Sequence, residues 1–170
     1  MPRQPGRRRA GARTPAAEHM DALSFGALRS LAENPDASPQ TLALLSHDPL
    51  VDVQVAVAWN PRTPASALAR LAEGSIEVQA GVAQNPSAGP GLLEQLAGHA
   101  ESLVRSAAAT NPRLPLPLLH RLAQDPEPRV RRHLARNPRT PYRVLAALAR
   151  DADGEVRSTA EGRLREWEAP

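Results

Sequence analysis

The dipeptide Asn-Pro occurs at 34, 60, 85, 111 and 137, at spacings of 26, 25, 26 and 26 residues. Each copy is followed by a second Pro four or five residues on, by Leu eight on and by Leu eleven on. Self-similarity at a period between about 20 and 50 residues marks a chain that stacks one supersecondary unit on the next. The repeated positions are then those that hold the unit together, and function must lie where the copies differ.

Superposed, the copies define a 26-residue template. A short turn closes at Pro39, Pro64, Pro90, Pro115 or Pro141, and the pairs Leu42/Leu45, Leu68/Leu71, Leu93/Leu96, Leu119/Leu122 and Leu145/Leu148 follow. A second apolar set begins at Val53, Val78, Val104, Val130 and Val156, each trailed four residues later by Val57, Val82, Ala108, Leu134 or Ala160. Spacings of three and four put these residues on one helical face, so each repeat predicts two short helices of about ten residues. Ser38-Pro39, Thr63-Pro64 and Thr140-Pro141 predict a side-chain oxygen at the N-cap and Pro at the first helical position. Asn before Pro is a stop for the second helix, because a pre-proline residue leaves the α region and Asn tolerates left-handed geometry. Helices this short are marginal alone in water, so stacking must supply the stability.

The template resembles the leucine-rich repeat variant family, whose pattern runs Asn-Pro-x-Thr-Pro, Leu-x-x-Leu-Ala, then Val-Arg-x-x-Val-Ala. NPRTPASALARLAEGSIEVQAGVAQ from Asn60 and NPRTPYRVLAALARDADGEVRSTAE from Asn137 carry nearly all of it, and the resemblance covers residues 21 to 165. It implies an all-α, right-handed solenoid of about five two-helix repeats with terminal half-repeats, in which α and 3₁₀ helices alternate. LAQDPEPRVRRHLA from Leu122 is also similar to the HEAT-repeat pattern. An iron–sulfur cluster is bound by an N-terminal cysteine segment in at least one member of the variant family. This chain has no Cys, so that cofactor does not carry over, and no cofactor is expected.

With four aromatic residues in 170, the core must be thin and rich in Ala and Leu. There is no apolar run long enough to span a bilayer and no signal-peptide layout, which predicts a cytoplasmic monomer. Residues 1–20 hold Arg3, Arg7, Arg8, Arg9 and Arg13 among Pro, Gly and Ala without helical period, and read as a disordered basic tail. That tail reads as a solubilising leader or an overextended start ahead of Met20, with an arm for nucleic acid or an acidic partner as the alternative. Residues 21–168 read as the repeat domain. A lone helix before Asn34 opens it, and Val156, Ala160, Leu164 and Trp167 predict one longer amphipathic helix that closes it.

No Gly-rich phosphate loop, Gly-x-Ser-x-Gly, His-Glu-x-x-His or Cys nucleophile occurs, so no catalysis is expected. His47, His99, His120 and His133 lie in different repeats and read as surface or turn histidines, not as metal ligands. Two polar columns recur: Gln54, Gln79, Arg105, Arg131 and Arg157 after each Val, and Asp48, Gly74, His99, Asp125 and Asp151 fourteen residues after each Asn. Resemblance to HEAT repeats implies that Asp125, Arg131, Asp151 and Arg157 belong to a structural ladder between repeats. The alternative is an Arg stripe that reads phosphates.

Two columns vary beside the invariant Asn: Glu33, Trp59, Gln84, Thr110 and Arg136 before it, and Asp36, Arg62, Ser87, Arg113 and Arg139 two after it. Trp59, Arg62, Arg113, Arg136 and Arg139 are the candidate partner-binding residues; for Trp59, packing over Pro61 is the competing reading. Charge is segregated along the chain. Residues 21–104 carry 3 Arg against 9 acidic residues, whereas 105–170 carry 13 Arg against 8. The expected function is a non-enzymatic scaffold that binds a protein, acidic where the arginines concentrate, through its variable columns. The alternative is binding to duplex nucleic-acid backbone through the Arg-rich C-terminal repeats and the tail. Four aromatics give little support to base stacking on single strands.

Overall fold

A computed structural model describes residues 24 and 26–168, so the tail expected over 1–20 lies outside the described residues. A helix α1 (26–33) is followed by five helix pairs: α2 (Pro39–Leu45) with α3 (Val51–Trp59), α4 (Ala65–Leu71) with α5 (Ile76–Gln84), α6 (Pro90–Ala97) with α7 (Ser102–Thr110), α8 (Leu116–Leu122) with α9 (Pro128–Arg136), and α10 (Tyr142–Leu148) with α11 (Gly154–Glu168). The described residues contain no strand and no 3₁₀ helix. The α/3₁₀ alternation implied by the family is therefore absent. First helices close with i→i−4 bonds such as Leu68 N–H to Pro64 O at 3.1 Å and Ala72 N–H to Leu68 O at 3.0 Å. They are also shorter than ten residues: seven or eight in the first helix of each pair, nine in α3, α5, α7 and α9.

Every first helix starts five residues after its Asn, whether or not that position is Pro. Ser38 is the N-cap of α2, accepting from Thr41 N–H at 3.0 Å, with Pro39 at the first helical position. In α4 and α10 the register differs from the expected one, because the second Pro arrives a residue earlier. Pro64 and Pro141 are themselves the N-caps. Thr63 and Thr140 fall one place before the cap and are buried, each donating its hydroxyl to a carbonyl of the preceding helix, Val57 O and Leu134 O, at 2.6 Å. They tie the turn to the helix behind it.

Each second helix of the first four pairs ends on Asn60, Asn85, Asn111 or Asn137, with φ near −66° and ψ near 125° in Asn111 and Asn137. This is extended backbone, as a following Pro demands, and none of the described residues has positive φ. Left-handed tolerance is thus not why Asn stands here. The side chain supplies the reason. Nδ2 of Asn111 donates to Ala83 O at 2.7 Å and Asn85 O at 2.9 Å, one repeat back, while its Oδ1 accepts Arg113 N–H at 2.8 Å in its own turn. Asn60, Asn85 and Asn137 make the same three bonds, to Ala32 and Asn34, Ala58 and Asn60, and Ala109 and Asn111 respectively. All four are buried, and each amide has both donors satisfied across a repeat boundary and its oxygen satisfied within its own turn.

Between these rungs the second helices α3, α5, α7, α9 and α11 pack directly on one another, and the first helices touch less. Small residues permit the close approach. A Cβ on Gly81 would lie 2.9 Å from Ala58 Cβ, so nothing larger than Gly fits where α5 crosses α3. The Leu pairs and the Val set fill the space between the two helical rows and are buried in every layer. The core is one narrow ribbon of Leu, Val and Ala running through the stack. The opening half-repeat is α1; the closing one is the extension of α11 to fifteen residues, with Leu164 packed on the core. Trp167 near its end meets Tyr142 edge to face, centroids 6.4 Å apart.

Leu96 is fully buried whereas Leu44 is 76% exposed. Leu96→Ala is expected to cost about 2–5 kcal/mol in thermal or urea melts, and Leu44→Ala to stay within about 0.5 kcal/mol. Thr63→Val, which keeps the shape and removes the hydroxyl bond while Val57 O retains the Asn60 N–H, should cost about 0.5–1.5 kcal/mol.

Candidate partner-binding surface

The recurrent Arg column is occupied with internal partners. Arg105 grips Asp125 through Nε at 2.7 Å and Nη2 at 3.0 Å, and Arg131 grips Asp151 at 2.7 and 2.8 Å. Each pair joins one repeat to the next, 20 residues on, with guanidinium side chains 14% exposed and carboxylates 5% and 8%. The remaining Nη1 turns back on the inter-helix turn of its own repeat: Arg105 to His99 O and Ala100 O, Arg131 to Asp125 O and Pro126 O. Among the described residues Arg157 makes only this second set, to Asp151 O and Ala152 O. Gln54 and Gln79 hold the same place in the first two repeats with a single bond each, to Asp48 O and Ala72 O. The Arg–Asp rungs are confined to the C-terminal half.

Burial pushes the Asp125 carboxyl upward, but the Arg105 hydrogen bond, the Glu127 N–H and the charges of Arg105 and Arg131 outweigh it and hold the group below the usual carboxylate range. For Asp151 the Arg131 hydrogen bond is the leading influence, and it too is lowered. A carboxylate depressed in the folded state stabilises the fold above its unfolded pKa of about 3.9, and that contribution is lost as pH falls through the folded value. Asp125→Asn and Asp151→Asn should each cost about 1–3 kcal/mol at pH 7. Urea melts from pH 7 down to pH 2 should show a shallower acid loss for the double variant than for the wild type.

The variable columns lie along one edge of the stack. Trp59 and Arg136 are the last residues of α3 and α9, and Arg62, Arg113 and Arg139 sit in the turns that follow the Asn-Pro pairs; all five are exposed. They do not converge on one patch: Trp59 and Arg62 belong to the acidic half, and Arg113, Arg136 and Arg139 to the basic half. The second column is also partly a brace. Ser87 Oγ donates to Pro61 O at 2.8 Å, Arg113 Nη1 to Pro86 O at 3.2 Å, and Arg62 lies 3.9 Å from Asp36, each reaching one turn back. Trp59 is 54% exposed, and its indole edge packs toward the next repeat: Cδ1 and Nε1 stand 3.2 Å from where a Gly81 Cβ would be.

Cross-repeat geometry adds residues that column variation alone did not single out. Arg29 and Glu33 of α1 combine with Asp52, Val55, Ala56 and Trp59 of α3 to line an open pocket of about 240 Å³. On α9, Arg129, Arg132 and Arg136 recur at helical spacing along one face, with Arg132 paired to Glu155 of α11. His133 is not a surface or turn histidine: it is half-buried on α9 at the position that Ala56, Gly81 and Ala107 hold in other repeats. Burial first, then the charges of Arg129, Arg132 and Arg136, lower its pKa. His99 does sit in a turn, its Nδ1 accepting Glu101 N–H at 3.0 Å. Among the described residues no group of three or more His, Cys, Asp or Glu could hold a metal ion, and no helix is long and apolar enough to cross a membrane.

No curated protein and no solved structure matches this chain. The family model of the Leucine Rich Repeat Variant domain matches residues 52–109, which run from the first turn of α3 to the end of α7 and include two of the Asn rungs. Over residues 52–109, about a third of the chain, this solenoid is similar to the Leucine Rich Repeat Variant domain.

Proposed function

We propose that this solenoid is a non-catalytic scaffold that binds a protein partner through the edge carrying its variable columns. The observation that supports this reading most is Trp59: a large aromatic side chain, 54% exposed, with its indole edge packed toward Gly81 beside an open pocket. An exposed aromatic is the kind of residue that supplies much of the energy at a protein interface. Helical repeats suit this task because their stacked layers present a long surface whose side chains change from layer to layer while the frame does not. The proposed unit is a cytoplasmic monomer, in keeping with the absence of Cys.

A second reading, binding to duplex nucleic-acid backbone, draws on a separate observation. Arg129 and Arg136 on α9 carry no ion pair among the described residues, and Arg113, Arg139 and Arg143 add charge nearby in the chain. The two readings separate in a pull-down from native lysate with and without nuclease, using wild type, Trp59→Ala and the triple variant Arg113→Gln, Arg136→Gln, Arg139→Gln. Scaffolding predicts a nuclease-resistant protein complex that Trp59→Ala weakens at least tenfold, while the variant melts as the wild type does. Capture abolished by nuclease, together with duplex binding in anisotropy whose salt slope falls by about one unit per arginine removed, would favour nucleic acid instead.

A further inference from the structure

The pocket at the start of the stack combines three features of different origin. Its floor is apolar, formed by Val55 and Ala56 on α3. Trp59 stands at one end of that floor and Asp52, two turns away on the same helix, at the other. Across from them, α1 contributes Arg29 and Glu33, which are engaged with each other at 2.7 Å. Glu33 holds Arg29 in a direct ion pair; Asp52 interacts with the Arg29 charge only at longer range and is the lining carboxylate with no hydrogen bond or ion pair among the described residues. The pocket's net charge is negative, within a half of the chain that carries 3 Arg against 9 acidic residues.

We infer that this pocket seats a cationic side chain, a lysine or arginine presented by a protein partner. The inference rests on the reading of Trp59 as a partner contact and specifies the chemistry of what it meets. A long cationic side chain has the matching layout, with a methylene stem to pack beside the Trp59 indole and cover Val55 and Ala56, and a charged head at the far end to meet Asp52. A purely apolar anchor would cover Asp52 without pairing it, and an acidic one would be repelled by it. The fold contains its own counter-example. In α9, three repeats on and within the basic half, the columns of Asp52 and Trp59 are occupied by Arg129 and Arg136, so the acid is replaced by a base and the indole by a second cation. Gly81 gives the indole edge its seat, since α5 leaves room for the ring edge only where a Cβ is missing.

The chain has two Trp residues, so its nitrogen–proton correlation spectrum contains two indole N–H signals, and Trp59→Phe assigns them. The full-length protein is titrated at fixed ionic strength with N-acetyl-argininamide, N-acetyl-lysinamide and N-acetyl-glutamic acid amide. The expected result is a saturable shift of the Trp59 signal with the two cations, none with the anion, and no change at Trp167. Asp52→Asn, at an exposed position, should weaken the cation response about two- to fivefold. A Trp59 signal that moves no more than that of Trp167, or that responds equally to both signs of charge, or an Asp52→Asn variant that binds as the wild type does, would overturn the inference. Loss of protein capture in Trp59→Ala with no cation response would leave the scaffold reading intact and remove this one alone.

Discussion

A carboxamide placed at the end of each second helix is the interaction on which the rest of the stack depends. Its two N–H groups face two backbone carbonyls of the preceding repeat, the last ones of a helix and its cap, which have no partner within that helix. Its oxygen takes the N–H two residues on, closing the turn that leads to the next first helix. One side chain thereby terminates a helix, shapes a turn and fixes the distance between repeats. Asp lacks the donors, Ser and Thr lack the reach for two carbonyls, and Gly supplies neither. This accounts for an Asn that recurs at 60, 85, 111 and 137 while its neighbours vary.

Once the rungs set the separation, the side chains between second helices must be small, and they are: Ala58, Gly81, Ala83, Ala107 and Ala109 are buried there. Leu and Val then fill the remaining width, so no layer has a core of its own and each depends on its neighbours. The Arg–Asp rungs reinforce only the boundaries after the third and fourth pairs, while Gln54 and Gln79 bond within their own repeat. The two halves of one solenoid thus differ in how their repeats are fastened, and they differ in surface charge in the same direction. Arginines 105 and 131 serve the frame, which leaves Arg129, Arg136 and Arg139 to define the basic surface.

Much of this frame is legible in the sequence, because the Leu and Val positions report burial through helical periodicity alone. Leu93, Leu96 and Val104 lie in the core where the period puts them. The asparagine rungs escape such a reading because their acceptors are backbone carbonyls, which every residue has and no pattern marks. Thr63 misleads for a related reason: a Thr before Pro looks like an N-cap, but the helix start is set by distance from Asn, leaving the hydroxyl one place too early and inside the protein. The invariance of Asn, where Asp or Gly would also have stopped a helix, was the available clue. For the surface, exposure beside invariant neighbours correctly locates Trp59 on the edge of the stack. Its neighbours Arg29 and Asp52 come from other columns, and only the packing of α1 against α3 brings them together.

The role given to the asparagines is tested most directly by the same isosteric change at two copies. Asn111 is fully buried with both donors engaged one repeat back, whereas Asn34 is exposed at the first Asn-Pro turn and, among the described residues, only its side-chain oxygen is used, by Asp36 N–H. Urea unfolding at pH 7 should show Asn34→Asp within about 0.5 kcal/mol of wild type. Asn111→Asp, which sets a carboxylate against two carbonyl oxygens, should cost about 3 kcal/mol or more. Equal and small effects at the two positions would contradict the account, since the amide would then be a helix stop and nothing further.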